Sequence, residues 1–524
     1  MQLQLIISLS FSAAAAILLT LCSLKILQIL QLSTYKPKGI FAWLKRTKLD
    51  YLKRFLFLAF FSFITAFLFI FSFPNESSAY DWVRYFAFAF FIVIAIFFIY
   101  LQSKQKQKTR LVYTKRILRM IVILPILYFL INFALIYFLF NTPIEYSLFA
   151  ITPLFIPFIV ILAYYIMLPI ETLIAKFHFN KAKKKLDENK HLIKIGISGS
   201  YGKTTAKNIL AVLLSEKYRV LSSPKSFNTP MGLSRIINEN DLSRFDVFIA
   251  EMGAKRVGET EELCEFIRPK FGIVAKTGPQ HLETFLTLDN AVNTELSLAK
   301  RVEELVVLNN ADELIMQRIE GIDKAVFLGI DASYSNLEIT ENGTQFDFVI
   351  GDESIRINTK LLGRHIGEVF SQAALLAFKM GVSLDDIGRL AGEIIPVKHR
   401  LELIKTPNGV VLDDAYNSNP EGAKNALEIL SCFDGTRVVI TPGFIELGDI
   451  ENEENFRLGQ QIAATADYAM IVKNEHIYKG ASEAGMNEEK IIKVVSLDAA
   501  IEELKKLGLD KQAVLFLNDL PDNY

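Results

Sequence analysis

The stretch Gly196-Ile-Ser-Gly-Ser-Tyr-Gly-Lys-Thr-Thr205 decides the fold of the second half of this chain. It follows the apolar run Leu192–Ile197 and precedes a helical pattern that continues to Ser215. Glycines in such a loop let backbone N–H groups surround an anion at the N-terminus of a helix. The strict P-loop pattern has a glycine five positions before Gly202, where this chain has Ile197. The sequence therefore predicts a variant phosphate-binding loop.

The side chains of this loop predict a site for ATP and Mg²⁺. Lys203 can place its positive charge on the β- and γ-phosphates, and the Thr204 hydroxyl can ligate magnesium. The residues that we expect to bind the nucleotide are Gly199, Ser200, Gly202, Lys203, Thr204 and Thr205.

Short β-branched runs alternate with helical patterns from Leu192 onward, which is typical of βαβ units and a largely parallel sheet. The expected strands of a first series are Leu192–Ile197, Asp246–Ala250, Phe271–Ala275, Leu305–Asn309 and Ala325–Leu328. An inserted hairpin around Asn342–Gly343 and a helix from Ile366 to Met380 follow. The expected strands of a second series are Val410–Asp413, Arg437–Thr441, Ala469–Val472, Ile491–Val495 and Ala513–Leu517. We predict a central P-loop domain over 176–395 and a Rossmann-like domain over 396–524.

Two polar residues follow the next strands of the first series. Glu251 comes directly after the strand Asp246–Ala250, where a magnesium ligand of a P-loop protein is expected. His281 lies in the loop after the third strand. Either residue alone is more often a surface or structural residue. Because the carboxyl ends of parallel strands meet at one sheet edge, the combination with the P-loop predicts a site.

The first 170 residues are overwhelmingly apolar and aromatic. A helix needs roughly 17–25 apolar residues to cross a bilayer. Five stretches meet this length, near Leu5–Leu24, Phe55–Phe73, Tyr85–Leu101, Ile117–Phe140 and Tyr146–Ile170. We predict an α-helical transmembrane domain of five helices over 1–175.

Lysine and arginine content predicts the orientation of these helices. The first and third connections and the segment after the fifth helix are rich in Lys and Arg, whereas the second and fourth carry Glu76, Asp81 and Glu145 with Arg84. We expect a multi-pass protein of the plasma (inner) membrane with its N-terminus outside and its catalytic region in the cytoplasm. The basic connections can hold anionic membrane lipid. Because no charged residue lies mid-span, a transporter is disfavoured.

The net charge and the cysteines bear on partners and on structural cross-links. Lys+Arg and Asp+Glu both number 57, so the net charge of zero gives no sign of a nucleic-acid partner, and we expect none. The cysteines Cys22, Cys264 and Cys432 are widely spaced and odd in number, which argues against a disulfide framework or a structural zinc site.

Eight short motifs occur in the order that is known from one enzyme family. They are SGSYGKTT (198–205), FNTPMG (227–232), EMGAKRVGE (251–259), GPQHLETF (278–285), LLGRH (361–365), HRLEL (399–403), DDAYNSNP (413–420) and TPGFIELG (441–448). The set resembles the Mur ligases, ATP-dependent amide-forming enzymes of cell-wall synthesis, and is nearest to the members that add D-alanyl-D-alanine to the UDP-muramoyl tripeptide. The resemblance covers about residues 190 to 518.

The resemblance implies a reaction in which ATP phosphorylates a carboxylate and an amine then attacks the acyl phosphate. It implies catalytic roles for Lys203, His281, Arg400 and Asp414 and metal binding by Thr204, Glu251 and His281. Substrate-binding residues by the same resemblance are Asn228, Thr229, Tyr416, Asn417 and Asn419. The expected partners are ATP, an amino acid or dipeptide, and a muropeptide or lipid-linked acceptor.

Four departures from the family pattern bear on activity. Asn293 replaces the carbamylated lysine of the family, so magnesium must be held otherwise, by Glu295 or by water. Ile366 and Val369 replace two asparagines that serve nucleotide or magnesium contacts. The usual Lys-Gly-Ser near the C-terminus is replaced by 518–520, Asn-Asp-Leu. Membrane helices stand where the family has its UDP-binding domain.

These departures leave alternatives open beside a membrane-anchored ligase. One is a degenerate Mur-like module that binds nucleotide and serves as a scaffold or regulator at the membrane. Another is an enzyme that extends a polymer at the membrane, as the Mur-like poly-γ-glutamate synthases do. The absence of the UDP-binding domain favours a lipid-linked acceptor.

Overall fold

The computed structural model of this chain describes two compact units, Met1–Ala175 and Lys176–Asp519. The described residues are 2–33, 35–47, 51, 56, 60, 77–104, 110–139, 152–224, 227–340, 342–415, 419–445 and 447–518.

The first unit is helical. Its helices are α1 (Gln2–Cys22), α2 (Leu24–Leu32), α3 (Pro37–Arg46), α4 (Ser77–Lys104), α5 (Lys115–Phe138) and α6 (Ile156–Glu188), the last of which continues into the second unit. Some buried polar groups of this unit pair with one another, as the Ser23 and Tyr128 hydroxyls do at 2.6 Å, whereas the buried Ser8 and Ser12 hydroxyls have no partner within the described residues. Such pairing removes the cost of leaving a polar group unsatisfied in an apolar interior.

The number of candidate membrane spans differs from our prediction. Within the described residues three stretches, rather than five, are long and apolar enough to cross a membrane: Gln4–Leu32, Lys115–Phe138 and Thr152–Glu188. The predicted span Phe55–Phe73 lies outside the described residues, apart from Leu56 and Phe60. The predicted span Tyr85–Leu101 forms part of α4, but the apolar stretch Phe88–Leu101 is shorter than a bilayer crossing requires.

The second unit begins with a parallel sheet that contains every strand of the predicted first series. Its strands are β1 (Ile193–Ser198), β2 (Val220–Ser222), β3 (Val247–Glu251), β4 (Phe271–Val274), β5 (Leu305–Asn309) and β6 (Ala325–Leu328). They lie in the order β2-β3-β1-β4-β5-β6. Because β1 lies between β3 and β4, the loops that follow these three strands meet at one edge of the sheet. The strand β2 is not among the predicted strands, because it has only three residues.

Helices cover both faces of this sheet. They are α7 (Lys203–Ser215), α8 (Pro230–Glu239), α9 (Glu259–Ile267), α10 (Leu282–Phe285), α11 (Leu288–Arg301), α12 (Glu313–Met316), α13 (His365–Lys379) and α14 (Leu384–Ala391). On one face α7 and α13 bury side chains such as Leu210 and Phe370 completely. Burial of each such side chain stabilises the fold by about 1.5–3 kcal/mol.

An antiparallel sheet is inserted before α13, where we predicted a hairpin. It consists of β7 (Ser333–Thr340), β8 (Gly343–Ile350) and β9 (Glu353–Thr359) in the order β7-β8-β9. Phe346 and Phe348 of β8 are fully buried, and their alternation with more polar residues is the pattern of a strand with one buried face.

A second large sheet contains all strands of the second predicted series. Its strands are β10 (Glu402–Thr406), β11 (Gly409–Asp414), β12 (Thr436–Thr441), β13 (Tyr468–Val472), β14 (Ile491–Val494) and β15 (Gln512–Leu517). They lie in the order β10-β11-β15-β12-β13-β14, and the β10–β11 pair is antiparallel. The edge strand β10 is not among the predicted strands, because its residues have no strong apolar pattern. Its helices are α15 (Pro420–Leu430), α16 (Glu451–Thr465), α17 (Glu475–Glu483) and α18 (Leu497–Leu507).

Candidate active site

The loop between β1 and α7 depends on two glycines with positive φ. Gly199 has a φ of 122° and Gly202 a φ of 79°. A Cβ atom on Gly199 would lie 2.8 Å from the backbone oxygen of Ala275, closer than such atoms approach. The backbone N–H groups of Ser200 and Tyr201 both donate to the Lys276 oxygen at 3.0 Å. The neighbouring strand end thus fixes the loop at the start of a helix, which is the geometry of an anion site.

The Lys203 ammonium group lies within this loop. Its Nζ donates to the Gly199 oxygen and, at 3.1 Å, to the Ser200 oxygen. Burial lowers the pKa of Lys203 below its ordinary value, while the carboxylates of Glu295 and Glu251 oppose that shift. The two carboxylates thus favour the charged form of Lys203 at the helix N-terminus, against the effect of burial.

Glu251, at the end of β3, is the most completely bonded carboxylate of the site. Its Oε2 atom accepts hydrogen bonds from the Thr204 hydroxyl at 2.9 Å and from the Lys207 ammonium group at 3.0 Å. Its Oε1 atom accepts from the Asn228 side-chain amide at 3.2 Å. Sequence reasoning missed Lys207, although its spacing of four residues from Lys203 places both lysines on one side of α7.

A second carboxylate, Glu295 of α11, reaches the loop from another side. It is 5% exposed, and its Oε2 accepts a hydrogen bond from the Ser200 hydroxyl at 2.8 Å. Burial raises the pKa of Glu295 to about 7, against the opposing effects of Lys203 and Ser200. Asn293, at the position of the family's carbamylated lysine, is exposed. Glu295 is therefore the residue of this helix segment that contacts the P-loop.

The loop after β4 carries His281 and is held at several points. Thr277 donates through its backbone N–H to Asp312 Oδ2 at 2.9 Å, and the Tyr201 hydroxyl donates to the Pro279 oxygen at 2.6 Å. His281 is partly buried, precedes α10, and has a φ of 52°. These bonds place His281 at the same sheet edge as the P-loop, as predicted from the strand order.

A cavity of about 130 Å³ joins the P-loop to the C-terminal sheet. Gly202 and Thr205 line it from the P-loop, and Arg400 and Asp414 line it from the second strand series. Asp414 Oδ1 accepts the backbone N–H of Leu401 at 3.2 Å. The cavity is closed in part by an ion pair between Lys276, beyond β4, and Glu421, in the first turn of α15.

The side of the cavity that α13 forms carries two apolar residues, Ile366 and Val369. Ile366 and Val369 are 2% and 3% exposed, and both line the cavity with apolar side chains. His365 and Glu368 lie on the same wall, and His365 Nδ1 and Glu368 Oε1 have no hydrogen-bond partner within the part of the chain that the structure describes. Burial lowers the pKa of His365 to about 4, so its ring is neutral at pH 7.

The predicted substrate residues are only partly brought together. Thr229 and Asn419 cap helices α8 and α15, through hydrogen bonds from Gly232 at 3.2 Å and Gly422 at 2.9 Å. Asn419 also lines the cavity, whereas Thr229 does not. Tyr416 and Asn417 lie outside the described residues. The residue that replaces the family's lysine near the C-terminus, Asn518, is 6% exposed and donates to the Gly443 oxygen at 2.6 Å.

Comparison with known proteins agrees with this geometry. Residues 197–376 match the Mur ligase middle domain, and residues 399–517 match the Mur ligase glutamate ligase domain. The UDP-N-acetylmuramoyl-tripeptide–D-alanyl-D-alanine ligase of Escherichia coli strain K12 is 28% identical over 339 residues, which cover 62% of this chain and 73% of that protein. The ligase of the same name from Haemophilus influenzae is 27% identical over 279 residues, or 51% of this chain and 61% of that protein.

A solved structure shows the same fold. The MurF ligase of Thermotoga maritima, crystallised in complex with ADP, superposes with a TM-score of 0.58 and 22% identity, over 66% of this chain and 80% of that chain. The two matched domains together cover more than half of the present sequence. This chain belongs to the Mur ligase family, whose members are ATP-dependent ligases that form peptide bonds.

Proposed function

We propose that this chain is a membrane-anchored ATP-dependent ligase of cell-wall or cell-envelope synthesis. It joins the amine of an amino acid or dipeptide to a carboxylate of a muropeptide or lipid-linked acceptor. The observation that carries the proposal is the cavity that is lined by Gly202 and Thr205 on one side and by Arg400 and Asp414 on the other. A nucleotide held there would contact both strand series.

The chemistry proceeds in two steps. A carboxylate oxygen of the acceptor attacks the γ-phosphorus of ATP, the bond to the β-phosphate oxygen breaks, and ADP leaves. The amine then attacks the acyl carbon, phosphate leaves with the electrons of the C–O bond, and the nitrogen loses a proton to solvent. Lys203 and Arg400 stabilise the charge on the transferring phosphoryl group, which is the main contribution of protein to such a transfer. Asp414 orients the nucleotide or a lysine.

The oxygen donors at the P-loop fit a magnesium ion. The Thr204 hydroxyl donates its proton to Glu251 at 2.9 Å, so its lone pairs stay available to a cation. Thr204 and Glu251 would hold Mg²⁺, and His281 would approach a second ion near the acyl phosphate. Bound Mg²⁺ would neutralise the phosphate oxygens.

We assign the remaining predicted roles in the same way. Gly199, Ser200 and Thr205 bind nucleotide phosphates, and the substrate contacts are Asn228, Thr229, Tyr416, Asn417 and Asn419. The domains are 1–175 in the membrane, 176–395 as the P-loop domain and 396–524 as the C-terminal domain. The three apolar stretches support a multi-pass membrane location. The plasma membrane and a catalytic region in the cytoplasm are proposed from the Lys- and Arg-rich connections of the sequence.

Amine-dependent phosphate release tests the proposed reaction. The full chain in nanodiscs is supplied with ATP, Mg²⁺ and D-Ala-D-Ala, single amino acids or glutamate, together with soluble UDP-muramoyl peptides or lipid-linked peptides. We expect phosphate release that needs both amine and acceptor and is lost in Lys203→Met, with a preference for lipid-linked acceptors. Activity on soluble acceptors alone would exclude the lipid-linked substrate, and successive glutamate additions would indicate a polymer-extending enzyme.

A degenerate nucleotide-binding scaffold is the second candidate. The apolar Ile366 and Val369 in the cavity wall and the exposed Asn293 favour it, because the family's polar groups are missing at these places. Binding of ATP without phosphate release on any acceptor would support the scaffold instead of the ligase.

A further inference from the structure

The strongest unexplained feature of the site is a lysine buried against its metal-binding carboxylate. The side chains of Lys207 and Glu251 are 1% and 2% exposed, and their charged atoms are 3.0 Å apart. Lysine is rarely buried unless it is paired. None of the predicted roles at this site uses the ammonium group of Lys207.

Lys207 and Thr204 share one oxygen of this carboxylate. Both donate to Glu251 Oε2, at 3.0 Å and 2.9 Å, while Glu251 Oε1 has the longer bond, 3.2 Å, from the Asn228 amide. The ammonium group therefore fixes the carboxylate in the position that receives the Thr204 proton. The neutral amide on Oε1 is the donor that an incoming cation can most easily replace.

The positive charges around this carboxylate oppose a free divalent cation. The ammonium groups of Lys203 and Lys207 both interact electrostatically with Glu251, and the Arg400 guanidinium acts on both lysines. The Glu295 carboxyl group acts on Lys203 alone of the two. Within the described ranges, no three His, Cys, Asp or Glu side chains come together as a metal site. Mg²⁺ needs about six oxygen ligands and a compensating negative charge, which the phosphates of a nucleotide supply.

We propose that Lys207 acts as a built-in counterion that prevents the site from retaining free Mg²⁺, so that the cation enters only together with nucleotide phosphates. Lys207 is in this sense a positioning residue, which acts through Glu251 and Thr204. The proposal rests on the proposed ATP site.

Binding of Mn²⁺ to the full chain in detergent tests this inference, with electron paramagnetic resonance as the readout. In the wild type we expect no stoichiometric Mn²⁺ binding without nucleotide and binding in the presence of a non-hydrolysable ATP analogue. In Lys207→Met, removal of the like charge should tighten nucleotide-independent Mn²⁺ binding by about tenfold or more. Lys300→Met, at the exposed end of α11, makes the same charge change away from Glu251 and should leave Mn²⁺ binding unchanged.

The double variant Lys207→Met with Glu251→Gln should lose the gain in Mn²⁺ affinity, because it removes the carboxylate as well. If the wild-type protein binds Mn²⁺ stoichiometrically without nucleotide, the inference is wrong. This measurement uses the wild type alone, so its result does not depend on the folding of a variant. An unchanged Mn²⁺ affinity in a folded Lys207→Met protein would overturn it too. If the ATP analogue does not bind with or without Mn²⁺, the proposed ATP site itself is wrong and the inference falls with it.

Discussion

Two buried carboxylates, Glu251 and Glu295, contact the phosphate-binding loop and the start of its helix, through Thr204 at 2.9 Å and Ser200 at 2.8 Å. The Thr204 hydroxyl donates to Glu251 at 2.9 Å, and the magnesium ion that the sequence predicts between these two residues stays a prediction. The sequence gives no role to Lys207, and to Glu295 only that of an alternative magnesium ligand. The side chains of Lys207 and Glu295 are both buried. The free energy of a buried charge depends on the groups that pair with it, and those groups belong to other elements of the fold.

Because the Glu295 carboxyl group is buried, we expect the free energy of unfolding to depend on pH. The pKa of this group is raised by burial to about 7 from an ordinary 4.5, so the folded state binds the extra proton between these values. The free energy of unfolding should therefore fall as the pH rises from about 4.5 to 7. The side chain of Glu295→Gln stays neutral at every pH. The free energy of unfolding of this variant should therefore equal that of the wild type near pH 5 and exceed it by about 2–3 kcal/mol at pH 8. Thermal unfolding of both proteins across this range measures the difference.

The matched control is Glu320→Gln, an exposed carboxyl group outside the site. It gives the effect of the same chemical change without burial. Parallel stability curves for Glu295→Gln and the wild type from pH 5 to 8 would mean that the buried carboxyl group does not titrate in this range.

At the scale of elements, the strand–loop–helix unit of β1 and α7 was predicted within one or two residues. Its apolar strand, its glycines and the following helical pattern are contiguous in sequence, so local preferences suffice. The edge strands β2 and β10 were missed, because a short or half-exposed strand is defined by its hydrogen-bonded neighbour rather than by its own composition.

Gly199→Ala tests whether the backbone conformation of the P-loop is needed for stability and nucleotide binding. The backbone has a φ of 122° there, and the new Cβ would lie 2.8 Å from the Ala275 oxygen. We expect a loss of at least about 2 kcal/mol in stability and loss of nucleotide binding. Gly258→Ala is the control, since its φ of 87° is also positive but nothing lies within 4 Å of the added Cβ.

Gly258→Ala should lower the free energy of unfolding by about 1 kcal/mol and leave the nucleotide affinity unchanged. Melting temperatures and titration with a fluorescent ATP analogue, both on the full chain in detergent, provide the two readouts. Equal effects of the two substitutions would show that the contact of the loop with β4 does not shape the nucleotide site.

At the scale of the whole molecule, the described residues contain three candidate membrane-spanning stretches, whereas the sequence predicts five for the whole chain. Three crossings and five crossings both place the two chain ends on opposite sides of a membrane. They differ for the segment around Ser78, which lies outside the cell with five crossings and inside with three. The three candidate stretches are Gln4–Leu32, Lys115–Phe138 and Thr152–Glu188.

Labelling of single cysteines in intact cells separates the two arrangements. With the three native cysteines replaced by alanine, Ser78→Cys should remain unlabelled by a membrane-impermeant maleimide if the three spans are the complete set. Labelling of Ser78→Cys would instead support five crossings. Ser103→Cys, expected inside in both arrangements, should label only after the cells are opened.

The sequence by itself determined the α/β architecture, the P-loop and the family, because strand periodicity, glycine positions and ordered motifs are local properties. It also placed Glu251 and His281 at one sheet edge, because parallel strands end together. Only the tertiary structure decided that Lys207 neutralises Glu251 and that Glu295, not Asn293, contacts the P-loop. The tertiary structure likewise decided that the P-loop, α13 and the second strand series line one cavity. Those outcomes depend on burial and on the pairing of distant charges, which a linear pattern does not encode.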